Sequence, residues 1–137
     1  MDIHELIKPG MVNEAVFLVE EQHLAQHIGS GSLRVLATPA MIAFMERVSH
    51  LLIAKAVPES YSSVGVLVNV RHLAPTPLGS RVRIKSEVVS VEGLQVTFHV
   101  EAWDEREQIG SGIHQRAVIE HERFLRRVAK KTPAALS

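Results

Sequence analysis

Residues 38–57 read TPAMIAFMERVSHLLIAKAV, and Pro58 follows. A Thr before a Pro is a strong helix start. The hydroxyl can cap a free N–H, and proline at the first helical position gives up an N–H that would be unpaired anyway. The helix is expected to run from Thr38 to about Val57, because the residue before a proline is pushed out of the helical region. Met41, Met45, Val48 and Leu52 form one stripe, while Ile42, Ala43, Phe44, Leu51, Ile53 and Ala54 fill most of the rest. Apolar residues nearly all round predict a helix that other structure wraps.

Beyond Pro58 the pattern switches to period two, the spacing of strand side chains. Val64, Val66, Val68, Val70 and His72 are expected to face the helix, with Gly65, Leu67, Asn69, Arg71 and Leu73 opposite. Val82, Ile84, Ser86 and Val88 alternate with Arg81, Arg83, Lys85 and Glu87, the mark of a half-exposed antiparallel strand. Glu92-Gly93 reads as a hairpin turn into Leu94, Val96, Phe98, Val100 and Ala102. After a turn at 104–107, a last strand takes in Ile109, Ser111, Ile113, Gln115, Ala117 and Ile119, and a short basic amphipathic helix around Phe124, Leu125 and Val128 follows. Before the long helix, residues 11–20 read as a first strand. Residues 21–36, with His23, His27 and Gly29-Ser30-Gly31-Ser32, read as about one helical turn and a mobile loop.

One antiparallel sheet must then cover one long helix, because each needs an apolar partner. The class is α+β and the architecture is the hot-dog, a curled sheet around a central helix. A single such sheet leaves an edge strand and a helix flank uncovered, which points to a homodimer.

Composition narrows the function. The 137 residues suit one domain spanning 1–137, and no linker or repeat divides them. Fifteen Lys+Arg balance 15 Asp+Glu, so nothing points to nucleic acid or an anionic membrane as partner. With no cysteine, disulfides and every thiolate site are excluded. The acidic start Met1-Asp2-Ile3-His4-Glu5 lacks the pattern of a secretory signal, and no apolar run approaches the roughly 20 residues of a membrane span, so a cytoplasmic protein is expected. The segment 130–137 reads as a fraying tail.

Three residues stand out against this background. Glu46 puts a carboxylate inside the apolar run from Met41 to Val48; a buried carboxylate with a raised pKa would suit acid or base work, or Glu46 and Arg47 mark the helix's wet edge. His72 completes the row of valines and offers proton exchange near neutral pH, or it caps the core where Pro75 and Pro77 signal a turn. Thr38 reads first as a helix cap, yet the free N–H groups at that end can also hold an oxyanion or a thioester carbonyl. Thr38 and Glu46 are separated by about 12 Å of helix rise and about 80° of rotation, so they line a groove. His23 and His27 have metal-ligand spacing without a third ligand, so no metal is expected. Gly29-Ser30-Gly31 and Gly110-Ser111-Gly112 lack the Lys of a phosphate loop.

Several motifs resemble the fluoroacetyl-CoA thioesterase family: RVLATPAMIAFME across the helix start, VGVLVNVRHLAPTPLGS through the next strand, VVSVEG at the hairpin and IGSGIHQRAVI in the last strand. The resemblance implies a homodimeric hot-dog acyl-CoA hydrolase that needs no cofactor beyond the coenzyme A of its substrate. It implies catalytic roles for Thr38, Glu46 and His72, and substrate contacts from Gly65 and Arg116. Where that family carries lid phenylalanines, this chain reads Ile28-Gly29-Ser30-Gly31-Ser32-Leu33, so a different small or medium acyl group is expected. The rival readings are a non-catalytic acyl-CoA or small-ligand binder, and an enoyl-thioester hydratase, which lacks support because no Asp-x4-His arrangement is present. Charge is also polarised along the chain. Lys8 alone stands against Asp2, Glu5, Glu14, Glu20 and Glu21 at one end, whereas Arg123, Arg126, Arg127, Lys130 and Lys131 face only Glu122 at the other, a basic end that reads either as a seat for the phosphates of CoA or as a solvated helix face.

Overall fold

The alternating stretches become strands and the continuous apolar run becomes a helix. The computed structural model describes residues 1–134, in the order α1 (Ile3–Leu6), β1 (Val12–Leu18), a 3₁₀ turn (Glu21–His23), α2 (Ala25–Ile28), α3 (Thr38–Ala56), β2 (Tyr61–His72), β3 (Arg81–Glu92), β4 (Gln95–Trp103), β5 (Gln108–Glu120) and α4 (His121–Ala129). The strands form one antiparallel sheet in the order β1-β3-β4-β5-β2, so β2 is an edge. Sheet and α3 share a core in which Val82, Ile84 and Val88 of β3 and Val96, Phe98, Val100 and Ala102 of β4 are fully buried against Met41, Met45, Val48 and Ile53. Polar ties join sheet and helix where the Ser49 and Ser86 hydroxyls meet at 2.6 Å and where Asn13 Nδ2 donates to Val48 O at 3.0 Å.

The helix is wrapped on one side only. Ala40, Met41, Phe44, Met45, Val48, Ser49, Leu52 and Ile53 are buried, whereas Ala43, Arg47, Ala54 and Lys55 are exposed. Edge strand β2 is uncovered beside this flank, with Val66, Leu67 and Val68 at 51%, 42% and 43% exposure.

Three sequence expectations need correction. Helix α1 was not expected; it forms on an Asp2 side-chain cap and buries Ile3. Residues 21–36 hold two short helical turns, and the segment is tied down by bridges Leu24↔Leu36 and Val35↔Pro77, with Leu24 and Leu36 fully buried. The third concerns β2, whose facing does not alternate uniformly. A bulge between Gly65 and Leu67 inserts one residue, and an inserted residue reverses the parity of a strand. Ser63 and Gly65 therefore face the helix before the bulge; beyond it Val68, Val70 and His72 do so, paired with His114, Gly112 and Gly110. Val64 and Val66 do not belong to that row. The expected fraying tail falls partly on residues 135–137, outside the described residues. No helix among the described residues is long and apolar enough to cross a membrane.

If the core at β3 carries the fold, Ile84→Ala should lower unfolding free energy by about 2–5 kcal/mol, read by urea denaturation. A loss below about 0.5 kcal/mol would contradict the packing described.

Candidate active site

The polar residues cluster at two places along α3. At its N-terminus the cap residue is Ala37, with Thr38 the first helical residue and Pro39 the second; no side chain caps the end. The expected Thr38 cap is therefore absent, and the hydroxyl is directed elsewhere: Thr38 Oγ1 lies 2.7 Å from His72 Nδ1. Met41 N donates to Ala37 O, while the Thr38 and Ala40 N–H groups have no backbone acceptor, which leaves the positive end of the helix dipole available to an anionic oxygen. A cavity of about 380 Å³ opens here, lined among others by Ala25, Ser30, Leu36, Thr38, His72 and Pro75.

Among the described side chains, His72 Nε2 is the one buried nitrogen or oxygen with no hydrogen-bond partner. Burial pushes the His72 imidazole below the usual histidine range, against a smaller upward pull from the Ala74 backbone. A neutral ring has one N–H. Placing it on Nδ1, donated to Thr38 Oγ1, avoids burying an unpaired N–H at Nε2. The Thr38 O–H is then free to donate to a ligand.

Two turns further along, Glu46 meets β2 and β5. Its Oε2 lies 3.4 Å from Arg116 Nη1; the Arg116 side chain is 8% exposed and that of Glu46 42%. Glu46 is thus at the rim of the core rather than inside it, paired with a buried cation. Arg116 also donates to Ser63, from Nε to Oγ at 2.8 Å and from Nη2 to the carbonyl at 3.1 Å, and Nη1 reaches His114 Nε2 at 3.2 Å. A Cβ at Gly65 would stand 2.7 Å from Glu46 Oε2, so a side chain there would shift the carboxylate away from its present position.

Within one chain, then, Thr38 joins His72, and Glu46 joins Arg116 and Gly65, while the two groups stay at separate positions along the helix. Sequence reading did not single out Ser63, His114 or His50, whose Nδ1 lies 3.5 Å from Ser63 Oγ. His114 had a signal in retrospect: an irregularity between Ala102 and Trp103 leaves Ile109 of β5 unpaired, so the inward row beyond it is Gly110, Gly112, His114, Arg116 and Val118, not the row expected from Ile109 to Ile119. No group of three or more metal-binding side chains occurs among the described residues.

Burial lowers the pKa of His72, His114 and His50 alike, in each case as the largest cause. A group whose folded pKa lies below its unfolded value near 6.5 binds its proton better in the unfolded chain. Stability should hold above about pH 6.5 and fall as pH drops below it toward the folded values. Thermal melts at pH 7.5 and 5.5 should show a lower Tm at 5.5, with the difference reduced in His72→Gln; a higher Tm at 5.5 would contradict the burial of these rings.

Residues 19–122 match the family model described as fluoroacetyl-CoA-specific thioesterase. The fluoroacetyl-CoA thioesterase of Streptantibioticus cattleyicolor is 40% identical over 100 residues, 73% of this chain and 72% of that protein. The solved structure of the fluoroacetyl-CoA thioesterase FlK superposes with a TM-score of 0.87 at 32% identity, covering 93% of this chain and 98% of that one. A hot-dog-like protein from Thermanaerovibrio acidaminovorans superposes with a TM-score of 0.89 at 26% identity, covering 98% and 99%. The chain is a hot-dog thioester hydrolase that belongs to the fluoroacetyl-CoA-specific thioesterase family.

Proposed function

We propose that the protein hydrolyses a small or medium acyl-CoA at a site completed between two copies of the chain. The observation that carries this reading is the pairing of Thr38 with His72 at a helix N-terminus that has N–H groups to spare. Thr38 O–H and the first-turn N–H groups receive the thioester carbonyl oxygen and its developing negative charge. His72, donating from Nδ1, keeps the Thr38 hydroxyl aimed at that oxygen. Glu46, anchored by Arg116, takes a proton from water as the water attacks the carbonyl carbon. Collapse of the tetrahedral species breaks the C–S bond, and the proton held by Glu46 passes to the departing thiolate. The balance is thioester plus water to acid plus CoA thiol, with no metal or redox cofactor required.

The second copy is argued from β2. Its exposed run, Gly65–Asn69, carries no charge and lies at the sheet edge. A two-fold axis beside the bulge sets the two β2 strands antiparallel and edge to edge, so that the inward positions before the bulge in one strand meet those beyond it in the other. His72 then stands opposite the partner's Ser63, and Val70 opposite the partner's Gly65. This brings Thr38 and His72 of one protomer toward the Glu46–Arg116 pair of the other. The acyl group enters the cavity beside Ser30 and Ala25, where the Ile28–Leu33 segment supplies no aromatic cover. The CoA phosphates rest on the basic end, where Arg123 and Arg127 of α4 border a cavity of about 360 Å³ with Tyr61 and Phe124.

CoA release from a panel of acyl-CoAs should show turnover by the wild type, with kcat reduced about 10²–10³-fold in Thr38→Ala and about 10²–10⁴-fold in Glu46→Gln. KM should rise with salt. Binding of acyl-CoA without release by the wild type would favour the non-catalytic reading and sink this one. Sedimentation should give a dimer that Val68→Lys dissociates with loss of activity; a fully active monomer would refute the shared site.

A further inference from the structure

His114 is 1% exposed, carries a titratable ring, and has no part in the mechanism above. Its Nδ1 lies 2.8 Å from the carbonyl oxygen of Leu67, beside the β2 bulge. A carbonyl can only accept, so Nδ1 holds the hydrogen. In the neutral ring Nε2 is then a bare lone pair, and 3.2 Å away it meets Arg116 Nη1, which can only donate. A second proton on the ring would set two donors against each other there. The groups facing the ring favour the neutral form on balance. Burial lowers its pKa most, the Leu67 carbonyl opposes, Arg116 on β5 lowers it further, and Glu46 on α3 opposes. His50, the other titratable neighbour of this cluster on α3, is itself lowered by burial and by Arg116.

Arg116 Nη1 carries two hydrogens in the guanidinium plane. When His114 Nε2 takes one, the planar fork fixes the direction of the other, and that direction is occupied by Glu46 Oε2 at 3.4 Å. Ser63 fixes the opposite edge of the plane through Nε and Nη2. Without an acceptor at the position of Nε2, the Nη1 edge could tilt, and the Glu46 carboxylate, already half exposed, would lose its anchor.

We propose that His114, as the neutral Nδ1–H tautomer, is a positioning residue that acts through Arg116 to hold the Glu46 carboxylate in register for hydrolysis. The proposal rests on the acyl-CoA hydrolase reading. Two near-isosteres separate its two bonds. In His114→Gln the amide reaches the place of Nε2 and supplies an acceptor to Arg116; in His114→Asn it reaches only the place of Nδ1 and keeps the bond to Leu67. Asn should lower kcat on the order of 10- to 100-fold with KM little changed, and Gln should stay close to wild type. In an Arg116→Met background, His114→Asn should have no further effect. The side-chain ¹⁵N spectrum of the wild type at pH 7.5 should show a protonated Nδ1 and a bare Nε2. An Asn variant as active as wild type, or an Nε2–H tautomer, would overturn the positioning role alone. A wild type inactive on every acyl-CoA would overturn the hydrolase reading and this role with it.

Discussion

A guanidinium that is almost wholly buried cannot shed its proton and must find acceptors within the protein. Arg116, at 6% exposure, finds them on three elements at once: Ser63 of β2, Glu46 of α3 and His114 of β5. Removing one partner leaves the cation buried with an acceptor missing, although loss of the half-exposed Glu46 costs less than breaking a fully buried pair. Much of the local geometry follows from this. The bulge in β2 turns Ser63 and Gly65 inward while keeping Val70 and His72 inward further along. Gly65 leaves room for the carboxylate that Arg116 holds, which a side chain there would displace. A Glu is tolerated in an apolar helix because its charge is met there and its outer side reaches water.

The same helix carries a second polar site at its N-terminus, of opposite character. Near Glu46 a fixed cation holds an anion, whereas at Thr38 a neutral histidine holds a hydroxyl beside unpaired N–H groups. One site can place a base and the other can stabilise negative charge. Ester-type hydrolysis needs both within reach of one carbonyl, and a straight helix keeps them about 12 Å apart. An edge strand with an uncharged exposed run, running the length of the gap between them, gives a two-fold axis the means to close it. In the proposed dimer, fold and chemistry share one requirement, since the uncovered edge of one chain is where the two halves of the site would be brought together.

Much of this was legible in the sequence. The bounds of α3, strands β3 and β4, and the hairpin at Gly93 followed from periodicity, because the buried row of β3 runs unbroken as far as Val88 and that of β4 from Val96 to Ala102. Glu46 and His72 were visible as polar residues in apolar rows. The facing of β2 was not legible: a bulge changes the parity of a strand without changing its composition, so five alternating Val and His positions read as one face. Ser63 was missed for the same reason, and His114 because a second irregularity, at Ile109 of β5, shifts the inward row of that strand. Thr38 was read as a cap because Thr-Pro is a common start, but the helix begins one residue earlier, and the hydroxyl is released to His72.

Complementation between two inactive variants tests the shared site most directly. Co-expressed Thr38→Ala and Glu46→Gln chains form mixed dimers in which both lesions fall in one of the two sites and the other site is intact. The account predicts that the mixture regains about one quarter of wild-type acyl-CoA hydrolysis, from half the dimers carrying one good site of two. A mixture no more active than either variant alone, with mixed dimers shown to be present, would contradict it.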